Sequence, residues 1–416
     1  MKLELLPTEI MDQILSFVVQ LFLPKPHESM SCLNRGNPKR VLATTTPARQ
    51  QLAALRLAGR VFYRSASALL FQACIVDSHC SYSLERLDRL SHSPYAACVR
   101  YLRFESNYLA YYGQASRAAL NDNIRYIQYT INNCLSRFQG LQEIVFDEPN
   151  TGLSSVDIEQ YLDTVAGTLR DVELPNLSSL HLRPMYTHYL RRILDAIFYS
   201  SQDRANNNLS RLRHLILHAP HFVDDNELAQ ELPEPTAAAA TPPHAVRVLH
   251  LLELAPNLET LTIIARLLHI GTAVLPSSLR LRTLSLSWIE ISSDALLRLL
   301  EAVKDTLRSI SFTEVHLRSG TWATVLTRMC FLPSLLQLYL KSNGYLWNGT
   351  TSFLVGLSEE SELETRSPYD RPALGVLYRH ISSNRVAAGL RPLMATPTEH
   401  YPSIHKELLT RVRRYT

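Results

Sequence analysis

The chain has 416 residues, 46% of them hydrophobic and 19% charged, with a formal net charge of +4 from 42 Lys+Arg against 38 Asp+Glu. That is the balance of a folded globular protein, long enough for two or more domains or for one extended repeat array. A positive surplus so small, spread over the whole length, gives no footing for nucleic-acid binding.

The first element is "LELLPTEIMDQILSFVV" at 3–19. Pro7 suits the first turn of a helix, where a missing N–H removes no bond. Ile10, Ile14, Phe17 and Leu21 then form one stripe, and Met11, Leu15, Val18 and Phe22 a second, turned by about 100°. Glu4, Glu9 and Asp12 stand where a signal peptide carries positive charge, and the apolar run from Ile14 to Leu23 is far shorter than the ~20 residues of a membrane span. Two stripes need two partners. The helix is expected to bury one inside its own module and the other against more of the chain or a second protein.

Residues 24–50 carry four prolines, one glycine and several basic residues, and read as a mobile insert. In "LAALRLAGRVFYRSASALLFQACIV" at 52–76, Leu52, Leu55 and Leu57 lead to Gly59, read as a helix-ending residue. Val61, Phe62, Ala66, Leu69 and Leu70 resume the helical spacing, which gives a helix–turn–helix.

Taken together, LLPTEIMDQIL at 5–15 and LRLAGRVFYRSASALLF at 55–71 resemble an F-box, with Ala58 and Ala68 where that family usually has Val and Pro, and with a longer connection between the blocks. The resemblance implies a three-helix module over 1–76 that docks on the Skp-type adaptor of a cullin-RING ubiquitin ligase. Leu6, Pro7, Glu9, Ile10, Ile14 and Leu15 of the first block, and Leu55, Leu57, Arg60 and Phe62 of the second, would take the adaptor-facing or core positions.

The pattern Leu-x-x-Leu-x-Leu then recurs with conservative substitutions. It reads VRYLRF (99–104), LQEIVF (141–146), LSSLHL (177–182), LRHLIL (212–217), LETLTI (258–263), LRTLSL (281–286), LRSISF (307–312) and LLQLYL (335–340). The fourth and sixth residues of each share one face of a strand. Amphipathic helices are expected between them, in "NDNIRYIQYTINNCLSRF" at 121–138 and in "SSDALLRLLEAVKDT" at 292–306, the latter opened by a Ser/Asp cap and lined by Leu296, Leu300 and Val303. Strand and helix in alternation fit an irregular leucine-rich-repeat-like solenoid with a parallel sheet over 77–356; a globular α/β domain with another strand order is the alternative. The ladder Asn of such repeats is mostly missing, Asn343 being the exception. Residues 231–245, rich in Pro and Ala, read as an excursion from the array, and 357–416 as a capping segment with a tail.

The six cysteines (Cys32, Cys74, Cys80, Cys98, Cys134, Cys330) have neither metal-ligand nor disulfide spacing, and read as reduced, mostly buried thiols of a cytoplasmic or nuclear protein. His214, His218 and His221 in "HLILHAPH" could share an ion only on a helix; on a strand the first two stand ~13 Å apart. No phosphate loop, nucleophile elbow or HExxH occurs, so neither enzyme nor cofactor is expected. Function is expected on the strand face opposite the leucines, at Arg103, Glu105, His181, Arg183, His214, His218, Tyr339 and Lys341, with Ser285, Ser287, Ser311 and Thr313 on the same face. Two readings follow. In one, the chain is a substrate receptor that carries a protein target to the adaptor, cullin and RING subunits; in the other it is a repeat scaffold without ligase function. Neither involves nucleic acid or a membrane.

Overall fold

The computed structural model describes residues 46–77, 80–105, 117–147, 155–184, 187–199, 206–219, 254–270, 279–345 and 366–393, together with Gln13, Leu252 and Leu363. The first F-box-like block, Gln13 apart, and the 231–245 excursion lie outside these residues. The described chain is mixed α/β, and every strand pairing assigned in it is parallel. It divides into two compact units. One is drawn from the chain up to Leu281 with Leu286–Ile289, the other from Arg282–Ser285 with the chain from Glu290 onward.

The first unit opens with two helices, α1 (Thr46–Ala58) and α2 (Arg60–Phe71), packed on each other across Gly59. The turn predicted from the sequence is present, but its glycine is extended (φ 178°, ψ 156°) and not in the left-handed conformation of a glycine cap. Helix α1 begins at Thr46, so residues 46–50 of the expected mobile insert are helical. One residue after α2 the chain enters strand β1 (Ala73–Asp77), which pairs with β2 (Tyr101–Glu105). Residues 73–76, assigned from the sequence to the helical module, therefore belong to the sheet.

The strands follow in chain order: β1, β2, β3 (Glu143–Asp147), β4 (Ser179–Arg183), β5 (His214–Ala219) and β6 (Thr260–Ile270), each paired with the next. Between them lie α3 (Ser81–Ser91), α4 (Arg117–Leu135), α5 (Ser155–Asp171), α6 (Thr187–Tyr199) and the short α7 (Asn206–Ser210). From α3 to α6 each helix packs on its successor. The alternation explains the order. Leu102, Phe104, Ile144, Phe146, Leu180, Leu182, Leu215, Leu217, Leu261 and Ile263 all project to one face and are at most 2% exposed. Each such side chain contributes about 1.5–3 kcal/mol through burial, but only when a neighbouring repeat covers it.

One backbone link recurs at every step. The carbonyl of the residue just before a strand accepts two N–H groups from the start of the next strand. Gln72 O takes Arg100 and Tyr101, Arg100 O takes Gln142 and Glu143, Gln142 O takes Ser178 and Ser179, Ser178 O takes Arg213 and His214, and Arg213 O takes Glu259 and Thr260, all at 2.8–3.0 Å. Side-chain amides add to it. Asn208, buried, donates to Leu169 O (3.1 Å) and Val172 O (2.6 Å) and accepts from Leu174 N (2.9 Å), tying α7 to the end of α5.

The second unit contains most of β7 (Thr283–Ser292), then α8 (Ser293–Ala302), β8 (Ser309–Thr313), β9 (His316–Ser319), α9 (Trp322–Met329), β10 (Gln337–Lys341), β11 (Gly344–Tyr345) and α10 (Asp370–Ala387). Strand β8 pairs with β10, while β9 pairs with β7 and β11. The expected cap of α8 is present: Ser292 accepts from Ala295 N, and Leu296, Leu300 and Val303 are buried. Gly320, at φ +79°, is a required glycine, since a Cβ there would lie 1.9 Å from Ser293 Oγ.

Here the repeat is fuller than the six-residue pattern. Trp288, Glu314 and Ser342, each two residues past the sixth position, are left-handed (φ 61°, 54° and 52°); Trp288 lies within β7, while Glu314 and Ser342 precede the short strands β9 and β11. Ile289 and Ile291, Val315 and Leu317, and Asn343 and Tyr345 follow and are buried. Asn343 Oδ1 accepts from Val315 N (3.0 Å) and its Nδ2 donates to Phe312 O (2.9 Å). Helix α10 packs on α9, with Leu374, Leu377 and Ile381 buried.

Candidate functional site

The register of the first unit places Arg103, Val145, His181 and Ile216 in one row across β2 to β5; at the strand ends Asp77 lies opposite Glu105 and Asp147 opposite Arg183, with His218 one residue past Leu217. All lie on the face opposite the leucines, since they alternate with the buried set along each strand. The structure therefore brings Arg103, Glu105, Arg183 and His218 together, as the alternation predicts.

Their centre is Asp147, which the sequence reading passed over. Arg103 Nε donates to Asp147 Oδ2 at 2.5 Å, and its Nη2 is 2.5 Å from the same oxygen. Arg183 Nη1 lies 3.0 Å from Oδ1, and Arg183 Nε points at His218 Nδ1 at 3.4 Å. Glu105 sits 3.8 Å from Arg103. Tyr161 of α5, buried, donates to the Asp147 carbonyl at 3.2 Å and so fixes the end of β3; burial holds its phenol well above the ordinary range. A signal for Asp147 was present. It is the residue just after LQEIVF, the position that Glu105, Arg183 and His218 hold in their own repeats.

Burial and charge oppose each other in this cluster. Burial depresses the Arg103 guanidinium, but the charge and hydrogen bond of Asp147 outweigh it, and the net shift is upward. Burial pushes the Glu105 carboxyl above its ordinary value, Asp147 and Asp77 push the same way, and Arg103 opposes.

Two other expected residues fall on this face in different settings. His214 is exposed at the start of β5. His181 is only 6% exposed, with Nε2 at 3.3 Å from Glu143 Oε1 and 3.2 Å from Ser179 Oγ. Both partners meet the same ring nitrogen. A relay that activates a serine needs the hydroxyl and the acid on opposite nitrogens, whereas in this buried trio both lie beside Nε2. Among the described residues no three His, Cys, Asp or Glu side chains converge as a metal site requires. Of the described cysteines only Cys134 is buried, and that burial pushes it up to about 11; Cys74, Cys80, Cys98 and Cys330 are half-buried, more open than expected.

In the second unit the corresponding face of β8 and β10 is uncharged up to Lys341. Ser309, Ser311 and Thr313 of β8 pair with Gln337, Tyr339 and Lys341 of β10, and Ser309 donates to Gln337 Oε1 at 3.3 Å. Tyr339 is 55% exposed and Lys341 is also exposed, while Ser285 and Ser287 alternate with buried Leu284 and Leu286.

A second candidate surface is the helical hairpin. Leu57 is 86% exposed at the end of α1, while Leu55 and Phe62 are half-buried and Arg60 opens α2. The neighbouring Arg56 turns inward. Its guanidinium lies over the rings of Tyr63 (4.9 Å), Tyr95 (5.2 Å) and Phe71 (5.5 Å), and Nη2 donates to both phenols at 3.1 Å. Leu6, Pro7, Glu9, Ile10, Ile14 and Leu15 lie outside the described residues. Among the described residues no helix is long and apolar enough to cross a membrane.

No family model matches this chain, and no curated protein matches it.

Proposed function

We propose that the chain is the non-catalytic substrate-recognition subunit of a Skp-cullin-F-box ubiquitin ligase. In this reading the N-terminal helices dock on the Skp-type adaptor, and through it on the cullin and RING subunits, while the strand face opposite the leucines holds a protein target. Such a receptor works by proximity, raising the effective concentration of the target beside the charged ubiquitin-conjugating enzyme.

The observation that carries the reading is Leu57, a large apolar side chain 86% exposed on a hairpin that enters a stack of parallel strands one residue after its second helix. Full burial of such a side chain by a partner is worth about 1.5–3 kcal/mol. The leucine-rich-repeat part is supported by the longer pattern at 281–291, 307–317 and 335–345, in which apolar or Asn residues follow at the ninth and eleventh positions, and by the bonds that Asn343 makes to the preceding repeat.

The test is titration of the purified full chain with a purified Skp-type adaptor. The wild type is expected to form a one-to-one complex. Leu57→Asp should weaken it at least tenfold, and Ile10→Asp with Leu15→Asp should abolish it. A wild-type chain that does not bind the adaptor leaves only the scaffold reading.

A further inference from the structure

We propose that Arg56 is a positioning residue that locks α1 onto α2 and the turn at Tyr95, so that Leu57 is presented in one fixed orientation; the consequence for docking rests on the function proposed above. Arg56 and Leu57 are successive on one helix, about 100° apart, so fixing one fixes the other.

The lock joins three parts of the chain. Arg56 comes from α1, Tyr63 and Phe71 from α2, and Tyr95 from the turn that precedes the Ala96–Cys98 helical turn. Phe71 stacks on Tyr95 with centroids 4.5 Å apart, and the Tyr63 and Tyr95 hydroxyls bond to each other. Arg56 closes the assembly, its guanidinium within 5.5 Å of all three ring centroids and donating to both phenols. Its Nε is buried and has no hydrogen-bond partner among the described residues. Tyr95 itself is held by the frame of the sheet. Its N–H meets Ser93 Oγ at 3.2 Å, its carbonyl accepts from Cys98 N at 2.9 Å, and two residues later Arg100 N reaches Gln72 O. The guanidinium is suited to this place because it is planar and bears several donors; an ammonium has no face to stack and no fork to span two phenols.

Amide hydrogen exchange on the full chain tests the lock without any partner. In Arg56→Ala, amides of 46–58 should exchange at least tenfold faster, those of 101–105, 143–147 and 179–183 at the wild-type rate, and Arg56→Lys should not restore protection. Tyr95→Phe, which keeps the ring and removes one acceptor, should give a smaller acceleration confined to the same helix. Adaptor affinity should fall at least fivefold in Arg56→Ala although Leu57 is intact. Unchanged exchange of 46–58, or acceleration spread equally over the strands, would overturn the lock. If exchange behaves as expected and the wild-type chain binds no adaptor, the lock stands and the proposed function fails.

Discussion

Asp370 is the first residue of α10 and is fully buried. Its carboxylate accepts from Ala323 N (2.8 Å), Tyr345 Oη (2.7 Å), Ser367 N (3.1 Å) and Arg366 N (3.2 Å). One side chain thus satisfies an otherwise orphaned N–H at the start of α9 and anchors the helix packed against it. Tyr345 in turn accepts from Trp322 N, whose indole donates to Gly344 O at 2.7 Å. Asp370→Ala leaves these buried donors without an acceptor and should lower stability by about 3 kcal/mol in denaturant titration; Asp370→Asn, which keeps one acceptor oxygen, should lose less. None of this was legible in the sequence. The residue stands alone after "TRSPY", and its partners include groups 25 and 47 positions away. Arg56 escaped for the same reason, because what matters is the three rings it meets and all of them come from other elements.

At the scale of the element, the eight Leu-x-x-Leu-x-Leu matches all fall on strands β2 to β8 and β10, because that spacing puts two large side chains on one buried face per strand. Three strands were missed, each for a physical reason. β1 reads ACIVD, without the leucine pattern, and is a strand because β2 offers it a partner edge. β9 and β11 are short and follow left-handed residues, which no side-chain alternation announces. The opposite face of β1 to β5 is where ionisation couples to folding. The Glu105 carboxyl titrates above its ordinary value, chiefly through burial, so its folded form binds a proton more readily than its unfolded form does. The stability this group contributes is therefore present at low pH and is lost as pH rises through the folded-state value. Glu105→Gln should have a higher thermal midpoint than the wild type at pH 7, with the gap closing below about pH 4, under the ordinary carboxylate range. A midpoint for the variant below wild type at pH 7 would mean that the 3.8 Å contact with Arg103 outweighs burial.

For the molecule as a whole, the sequence yields the alternating α/β plan, the chain order of the strands and the face on which Arg103, Glu105, Arg183 and His218 meet. It does not yield the point where helices give way to sheet, which the structure moves from after Val76 to Gln72, nor the division into two units near Leu281. Those depend on packing between repeats, which no single repeat encodes. The account's central claim is that one chain holds adaptor and target at once, with the hairpin serving the first and the charged strand face the second. Proximity labelling from the full chain in cells with the proteasome blocked tests this most directly. The account predicts that the wild type labels adaptor and cullin together with proteins that accumulate under the block. Leu57→Asp should lose the adaptor and cullin but keep those proteins, and Arg103→Glu with Arg183→Glu should do the reverse. Labelling without adaptor or cullin from the wild-type chain would contradict it.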